Sequence, residues 1–303
     1  MVNVIYVFGT GRWSKEIIKC VSNLKNVKIF IITSKIHIRN WVQKKKLKNV
    51  FFLKKLPHNN QSQISKIFIV SLVGKHLSQI KMSIDKKYNR IFVEKPLVKN
   101  KKQISLLDKN KKKIYVSRIF SFDEKFKFFL RNIDTSKIKH LKFFWHDPAY
   151  EKRRRIIKVQ DKTIKYSFDI MPHIANILDL IFKDKKIKPT KFLVNKNKNN
   201  ESKFNFWIKD INVFCDFSRV SKRIRKIEFT YHDEKFYEFD FSNNKRYLLK
   251  ITNKKKTLIK RYNSKLNNLK KMIFSFLLED QKMKLLNYQY SKNFFINYDK
   301  ILK

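Results

Sequence analysis

The sequence contains little glycine, proline or cysteine. Its 303 residues include three glycines, five prolines and two cysteines. Cys20 and Cys215 lie far apart in the chain, so they indicate neither a disulfide framework nor a metal site. No apolar run approaches the length that crosses a bilayer, and the first residues lack the charged segment and cleavage site of a secretory signal. These absences predict a soluble, cytoplasmic protein with no metal and no membrane partner.

Negative charge is also scarce. Lys and Arg number 72 against 24 Asp and Glu, which gives a formal net charge of +48. Such a charge is typical of proteins that bind nucleic acid or anionic membranes. Here the lysines are spread over almost the whole chain, and they accompany Ile, Asn and Phe, whose codons are also rich in A and T. We therefore attribute the charge to an AT-rich bacterial genome. We expect no specific nucleic-acid partner, only non-specific attraction to polyanions at low salt.

The first 119 residues alternate strand-like and helix-like patterns. Continuous apolar runs predict buried strands, and the amphipathic segments between them predict helices. The predicted strands are 2–8, 27–33, 49–53, 66–73 and 89–97, and the predicted helices are 13–24, 36–46 and 76–88. This alternation predicts an α/β domain whose parallel sheet is covered by helices on both faces.

Residues 120–303 follow a different pattern. A strand-like segment at 139–147 and a helix at 166–182 precede several longer strand-like stretches, which short polar segments separate. These stretches predict an open, mostly antiparallel sheet, and a helical tail closes the chain. We therefore predict two domains, an α/β domain at 1–119 and an α+β domain at 120–303.

Two of the three glycines stand one residue apart. The segment Gly9-Thr10-Gly11-Arg12-Trp13 follows a predicted strand and opens a predicted helix, which is the context of a dinucleotide-binding fingerprint. The first glycine allows a tight turn, the second lets the backbone approach a pyrophosphate, and the helix N-terminus favours the anion. Ser14 takes the place of the usual third glycine. An ordinary strand-to-helix turn is the alternative. Because glycine is so rare elsewhere in the chain, a steric requirement explains the pair better. We therefore predict a Rossmann domain in which these residues contact the coenzyme.

The end of the second predicted strand bears on the choice of coenzyme. Enzymes that use NAD normally carry Asp or Glu there to bind the ribose 2′-hydroxyl. This sequence has Thr33, Ser34 and Lys35, with no carboxylate nearby. A hydroxyl and a cation suit a 2′-phosphate, so we predict NADP at Ser34 and Lys35, with NAD as the alternative.

Two later motifs complete a set that resembles a known family. Glu94-Lys95-Pro96 stands at the end of the fifth predicted strand, and Asp169-Ile-Met-Pro-His173 lies in the helix at 166–182. With the glycine segment, and in this order, they resemble the Gfo/Idh/MocA oxidoreductases, the relatives of glucose–fructose oxidoreductase and inositol dehydrogenase. The resemblance covers essentially the whole chain. It implies NAD(P)-dependent hydride transfer at a sugar, cyclitol or related carbon, with Glu94 near the coenzyme and with Lys95 and His173 facing the nicotinamide.

The same resemblance implies how the second domain is used. In this family the open-sheet domain binds the substrate and joins the subunits, so a homo-oligomer, a dimer or tetramer, is expected through the C-terminal sheet. The sugar, cyclitol or nucleotide-sugar derivative would be converted in a biosynthetic pathway.

The residue types suit this chemistry. Reducing a carbonyl or oxidising an alcohol needs one proton donor or acceptor at the heteroatom. Lys95 follows a strand, at the sheet edge where ligands bind, and Pro96 restricts its backbone and permits a cis bond. Asp169 and His173 are four residues apart, so a helix places the carboxylate where it can orient the imidazole. Pro172 is expected in the first helical turn, which would start the helix near residue 171 and weaken that argument.

Four other residues are candidates for ligand contacts. His76 matches a family histidine on the nicotinamide side, and Arg118 falls where the family chain returns toward the active site. Asn176 replaces a frequent aspartate, so it can hydrogen-bond a substrate but cannot act as a base. Arg154 lies among arginines that suit a substrate phosphate or carboxylate, although a solvated loop is an equal alternative.

Two other functions stay open at this point. Imine and dipyrrole reductases resemble the same scaffold, so an imine or dipyrrole reductase is one alternative. A non-catalytic polyanion-binding protein on a degenerate Rossmann scaffold is the other, and it predicts tight nucleic-acid binding with a steep salt dependence and no nicotinamide signal.

Overall fold

The computed structural model of the chain contains two compact units. It describes residues 3–59, 65–148, 150–151, 156–157, 161, 164–183, 187–198, 200–241, 247–252, 255–261 and 267–302. The first unit comprises Met1–Ile119 and Asn267–Phe295, and the second comprises Phe120–Leu266 and Ile296–Lys303. The sequence-based division did not anticipate that a C-terminal segment returns to the first unit.

The first unit is built on a six-stranded parallel sheet. Its strands are β1 (Asn3–Phe8), β2 (Val27–Ile32), β3 (Val50–Leu53), β4 (Ser65–Ile69), β5 (Ile91–Val93) and β6 (Ile114–Val116). They lie in the order β3-β2-β1-β4-β5-β6, and every neighbouring pair is parallel. This is the strand order of a Rossmann sheet, in which the direction of winding reverses between β1 and β4. The predicted Rossmann fold is confirmed.

Four helices follow these strands. They are α1 (Arg12–Ser22), α2 (Ile36–Lys44), α3 (His76–Asp85) and α4 (Lys101–Ser105). In α1 the apolar residues recur at helical spacing, and Ile17, Ile18 and Val21 are fully buried. The apolar face of α1 therefore fixes the helix that begins directly after the glycine turn.

The second unit is built on an eight-stranded mixed sheet. After the short helix α5 (Glu124–Arg131), its strands are β7 (Ile138–His146), β8 (Tyr150–Glu151), β9 (Ile156–Ile157), β10 (Pro189–Lys198), β11 (Glu201–Ile208), β12 (Ile211–Ser218), β13 (Ile224–Tyr231), β14 (Phe236–Asp240), β15 (Tyr247–Thr252) and β16 (Lys255–Arg261). The order in the large sheet is β10-β11-β12-β7-β13-β14-β15-β16, and β8 pairs with β9 separately. Only β12 and β7 are parallel neighbours among these described strands, so the predicted open, mostly antiparallel sheet is confirmed.

One long helix of the second unit differs from the expectation. Helix α6 runs from Tyr166 to Ile181 and contains Pro172 in its interior, so the predicted start near residue 171 is wrong. Proline lacks the N–H that would bond the carbonyl four residues earlier, yet neighbouring packing can override that cost. Here the helix is almost entirely buried over its first two turns, with Tyr166, Ser167 and Phe168 all buried. Asp169 and His173 therefore lie within one continuous helix.

Two C-terminal helices complete the chain. Helix α7 (Asn268–Leu278) belongs to the first unit, where Phe276 packs against Phe68 of β4 and Phe92 of β5 with ring centres 5.2 and 5.4 Å away. Helix α8 (Tyr288–Leu302) begins in the first unit and ends in the second. In the described part of the chain, no helix combines the length and apolarity needed to cross a membrane.

Candidate functional site

The residues predicted on the first unit gather at one edge of its sheet. The parallel ladder continues one residue past β4 and β5, because the N–H groups of Val70 and Glu94 donate to the carbonyls of Phe8 and Ile69, both at 2.8 Å. In the same way the N–H of Ser117 donates to Val93. The glycine turn, the Ser34–Lys35 segment, His76, Lys95 and Arg118 thus all follow the carboxyl ends of strands. That edge, at the reversal between β1 and β4, is where ligands bind in sheets of this type.

Gly9 is required by the packing of the first unit. Its φ of +123° lies in a region that side chains rarely adopt. A Cβ there would lie 2.7 Å from the carbonyl oxygen of Val70 and 2.8 Å from Oγ of Ser14. The glycine therefore lets the end of β1 pass close to β4 and α1.

At Gly11, by contrast, the packing of the described residues does not require a glycine. Its backbone is extended, with φ −78° and ψ −169°, which any residue can adopt. A Cβ at this position would meet no described atom within 4 Å. Arg12 and Trp13 follow it as exposed residues at the start of α1. The open space in front of Gly11, at the N-terminus of an 11-residue helix, fits a bound pyrophosphate.

The segment after β2 presents polar groups on the same edge. Ser34 and Lys35 are exposed, and the N–H of Lys35 donates to Oγ1 of Thr33 at 3.1 Å. Helix α2 begins at the next residue, so this turn is fixed by both its hydroxyl and the following helix. A hydroxyl and an ammonium group with no acidic residue in the segment fit an anionic group such as a 2′-phosphate.

Lys95 lies in the loop that follows β5. Glu94 and Lys95 are half-buried, whereas Pro96 and Leu97 are buried. The Lys95–Pro96 peptide bond is cis, as the sequence allowed. The loop therefore presents Lys95 at the sheet edge while the following residues pack inward.

His76 is placed differently from the other candidates. The side chain is only 1% exposed, at the first residue of α3. Its Nδ1 lies 3.0 Å from the carbonyl oxygen of Pro96, and its Nε2 lies 3.1 Å from the carbonyl oxygen of Ser71. The imidazole thus stands between the loop after β4 and the loop after β5.

Arg118 is also engaged within the first unit. Its guanidinium carbon lies 3.5 Å from the centre of the Tyr290 ring, and Nη1 donates to the carbonyl of Leu285 at 3.4 Å. The residue is 8% exposed. These contacts tie the end of β6 to the C-terminal segment, which is a structural use of the arginine.

In the second unit, aromatic rings surround His173. The imidazole stacks on the indole of Trp145, with ring centres 5.5 Å apart and planes inclined by 23°. Phe120 meets both rings edge-on, at 5.3 Å from His173 and 5.7 Å from Trp145. These two aromatic residues were not among the candidates from the sequence, although Trp145 occupies an inward position in the alternating pattern of β7. The stack fixes the plane of the imidazole.

The carboxylate of Asp169 has a partner that the sequence did not indicate. Arg219, which follows β12, donates from Nη2 to Oδ2 of Asp169 at 3.1 Å, and its guanidinium carbon lies 4.3 Å from the centre of the Tyr166 ring. Burial raises the pKa of Tyr166, so its hydroxyl stays protonated and donates to the carbonyl of Trp145. The acidic residue is thus part of an ion pair beside the stack.

The remaining predicted residues are placed as follows. Asn176 is 4% exposed, and its Nδ2 donates to Oγ of Ser121 at 2.8 Å, while Oδ1 is buried without a hydrogen-bond partner. Arg154 lies outside the described residues. Over the described ranges, no group of three or more His, Cys, Asp or Glu side chains is arranged to hold a metal ion.

Comparison with known proteins gives matches only in three dimensions. No protein-family model matches the sequence, and no curated protein matches it. Among solved structures, the chain is similar to a UDP-N-acetylglucosamine 3-dehydrogenase from Acidithiobacillus ferrooxidans, with a TM-score of 0.72 and 13% identity over 100% of this chain and 97% of that one. It is also similar to a scyllo-inositol dehydrogenase from Lactobacillus casei, with a TM-score of 0.68 and 13% identity over 97% and 94% of the two chains.

A third similar structure is a 3-ketoreductase from Actinomadura kijaniata. It superimposes with a TM-score of 0.76 and 9% identity, over 99% of this chain and 96% of that chain. The inositol dehydrogenase structure contains NAD(H), and the ketoreductase structure contains NADP and a TDP derivative. At these identities the similarity shows the fold, and the chain has the two-domain dehydrogenase fold of these proteins. The resemblance given by the sequence motifs is confirmed at that level.

Proposed function

We propose that the protein is an NAD(P)-dependent oxidoreductase that acts on a polar small molecule. The observation that carries this proposal is that the glycine turn and Lys95 both lie at the carboxyl edge of one Rossmann sheet. Gly11 adds to it, because the chain itself gives no reason for glycine there. The dehydrogenases and ketoreductase with the same fold support the same class of reaction.

The coenzyme is NADP, in preference to NAD. Ser34 and Lys35 offer a hydroxyl and a cation after β2, where NAD enzymes normally carry a carboxylate. Gly9 to Trp13 would hold the pyrophosphate side. When bound, the nicotinamide supplies or accepts the hydride.

Lys95 and His173 are the catalytic residues of the proposed reaction. An ammonium group at the sheet edge can donate a proton to, or accept one from, the reacting oxygen or nitrogen. The imidazole of His173 is the second proton carrier, and its stack on Trp145 holds the ring in one orientation. On the helix of His173, Asp169 acts as the partner of Arg219 and Asn176 as a hydrogen-bonding group.

The substrate is a sugar, a cyclitol or a nucleotide-sugar derivative, converted in a biosynthetic pathway of the cytoplasm. The structurally similar proteins act on a UDP-sugar and on scyllo-inositol, and one binds a TDP derivative. An imine or dipyrrole substrate is the alternative on the same scaffold, and turnover in a screen that includes both classes separates them.

The working form is a homo-oligomer joined through the large sheet of the second unit. Alternation along β7 and β12 places Phe144 and Phe214 on the face opposite the buried Trp145, and both are only half-buried. Their ring centres lie 6.2 Å apart. An aromatic pair on a face that also carries Lys142, Lys226 and Glu228 suits an interface between copies of this chain.

The decisive experiment measures coenzyme affinity. We expect NADPH to bind the purified protein at micromolar or lower concentration, with NADH at least tenfold weaker, by fluorescence titration. Lys35→Ala should weaken NADPH and leave NADH unchanged, whereas Lys28→Ala, an exposed lysine within β2, should change neither. Binding of neither coenzyme by the wild-type protein would refute the proposed function.

A further inference from the structure

We infer that His76 is a positioning residue that braces the Lys95 loop against the loop after β4. The observation is that one buried ring has both nitrogens within hydrogen-bonding distance of backbone carbonyls from two different loops. The resemblance used above would place this histidine among the coenzyme contacts. Because the side chain is 1% exposed and both ring nitrogens meet backbone carbonyls, we assign it the role of holding the two loops in place.

The chemistry of imidazole makes this arrangement specific. A carbonyl oxygen only accepts, so each contact needs an N–H on the ring. The neutral ring has one N–H and donates to one of the two carbonyls, whereas the protonated ring donates to both. In every protonation state the ring therefore donates to at least one of the two loops, and its body fills the space between them.

The two loops are those that the proposed reaction uses. The carbonyl of Pro96 belongs to the residue next to Lys95, so a bond to it limits the movement of the lysine backbone. Ser71 is held to α3 by a second contact, in which its Oγ donates to Oε1 of Gln79 at 2.6 Å. The start of α3 is thereby the common support of both loops. This support limits where the backbone of Lys95 can lie. That it thereby positions the Lys95 ammonium for catalysis rests on the proposed function.

Substitutions can test each bond separately. His76→Asn places an amide nitrogen near the position of Nδ1, and His76→Gln places one near Nε2. We expect Asn to restore the bond to Pro96 and Gln to restore the bond to Ser71, while His76→Ala loses both. Ser83→Ala is the matched control, because Ser83 is buried in the same helix and its hydroxyl bonds only the helix backbone at Gln79.

The primary readout is amide hydrogen exchange of the coenzyme-free protein, followed by mass spectrometry. His76→Ala should speed exchange about tenfold in peptides covering 70–76 and 94–99, as expected for loss of a buried hydrogen bond. The β1 peptide should be unchanged. Asn should restore protection to 94–99 only, and Gln to 70–76 only. The rate at which an amine reagent modifies Lys95 should differ from wild type in His76→Ala, where peptide 94–99 loses protection. It should return to the wild-type rate in His76→Asn, where that protection is restored.

Three outcomes would overturn the inference. One is that Ser83→Ala gives the same exchange pattern as His76→Ala. Another is a uniform increase of exchange through the first unit, which indicates a merely structural residue. The third is that Asn and Gln behave alike, which also decides the matter if the alanine variant does not fold. Failure of the wild-type protein to bind NADPH would refute the proposed function and leave the exchange result to judge the brace.

Discussion

At the scale of single residues, Gly9 and Gly11 make the clearest matched pair. Gly9→Ala would force a methyl group against the carbonyl of Val70 at a positive φ. We expect it to lower the free energy of unfolding by about 2–4 kcal/mol, as strained and overpacked sites do. A thermal melt of the purified variant, compared with wild type, measures this loss.

Gly11→Ala should behave in the opposite way. The backbone there suits alanine and the space is open, so we expect the free energy of unfolding to change by no more than about 0.5 kcal/mol. Coenzyme affinity should fall at least tenfold, because the methyl group would occupy the proposed pyrophosphate position. A Gly11→Ala protein that binds NADPH as wild type does would contradict the proposed role of the second glycine.

Lys95 allows a direct test of the chemistry. We expect Lys95→Met to lower kcat/KM by about 10²–10⁴-fold, the range for loss of a general acid or base. The affinity for NADPH should change by only a few-fold, since the ammonium acts on the substrate. The assay follows NADPH oxidation with whichever compound gives turnover in a screen of sugars, cyclitols and nucleotide sugars. Lys99→Met, in the same loop, is the control and should keep full activity.

At the scale of elements, helix α7 is fixed to the first sheet by a small charged cluster. Glu279, at the end of α7, accepts from Lys66 of β4 at 3.2 Å and from Arg90 at 3.0 Å. The ammonium of Lys66 also donates to the carbonyl of Leu277. Because the Lys66 side chain is only 7% exposed, its charge depends on these oxygens.

Removing that carboxylate should loosen the helix. We expect Glu279→Gln to lower the free energy of unfolding by about 1–2 kcal/mol at neutral pH, a discounted value because Glu279 is partly exposed. Glu16→Gln removes an exposed pair with Lys19 and should change it by less than about 0.5 kcal/mol. Urea unfolding of the two variants makes the comparison.

The same cluster predicts a dependence on pH. Burial acts to raise the pKa of Glu279, but the hydrogen bond from Arg90 and the charge of Lys66 outweigh it, so the pKa is lowered. A carboxyl with a lowered pKa stabilises the fold above its unfolded value and loses that contribution as pH falls through the folded value. The difference between wild type and Glu279→Gln should therefore be full near neutral pH. It should begin to shrink as pH falls below the ordinary glutamic acid value of about 4.3 and vanish in more acidic solution, below the lowered pKa of folded Glu279. A difference that persists in acid would show that the charge is not its cause.

Helix α6 shows why an element can extend beyond its expected start. Pro172 suggested a helix starting near that residue, since proline is best tolerated in a first turn. The preceding turn is instead held by burial and by the ion pair of Asp169 with Arg219, which follows the distant strand β12. A local pattern contains no information on such a partner.

At the scale of the whole molecule, the sheet face of the second unit predicts the assembly. We expect the wild-type protein to elute as a dimer or tetramer in size exclusion with light scattering. Phe144→Glu should dissociate it with little change in the melting temperature, since Phe144 is half-buried on the outer face. Lys142→Glu changes charge on the same face without removing apolar area and should leave the oligomer intact. A monomeric wild-type protein at micromolar concentration would contradict this assembly.

The sequence predicted those features that depend on neighbouring residues. Alternating apolar runs gave the Rossmann sheet, and scarce glycines marked its turn, because both follow from local backbone geometry. Contacts between distant segments were not predictable in this way. The stack of Trp145 on His173 and the contacts of Arg118 with Tyr290 join residues whose separation no periodicity records.

The return of α7 to the first unit affects how the chain is made. Phe276 covers Phe68 and Phe92, yet a ribosome adds it only after nearly all of the second unit has been synthesised. Until then the nascent chain carries an uncovered aromatic surface on its first sheet. The first unit therefore completes its packing only after α7 has been made, and we expect newly made chains to depend more on chaperones until the last helices emerge.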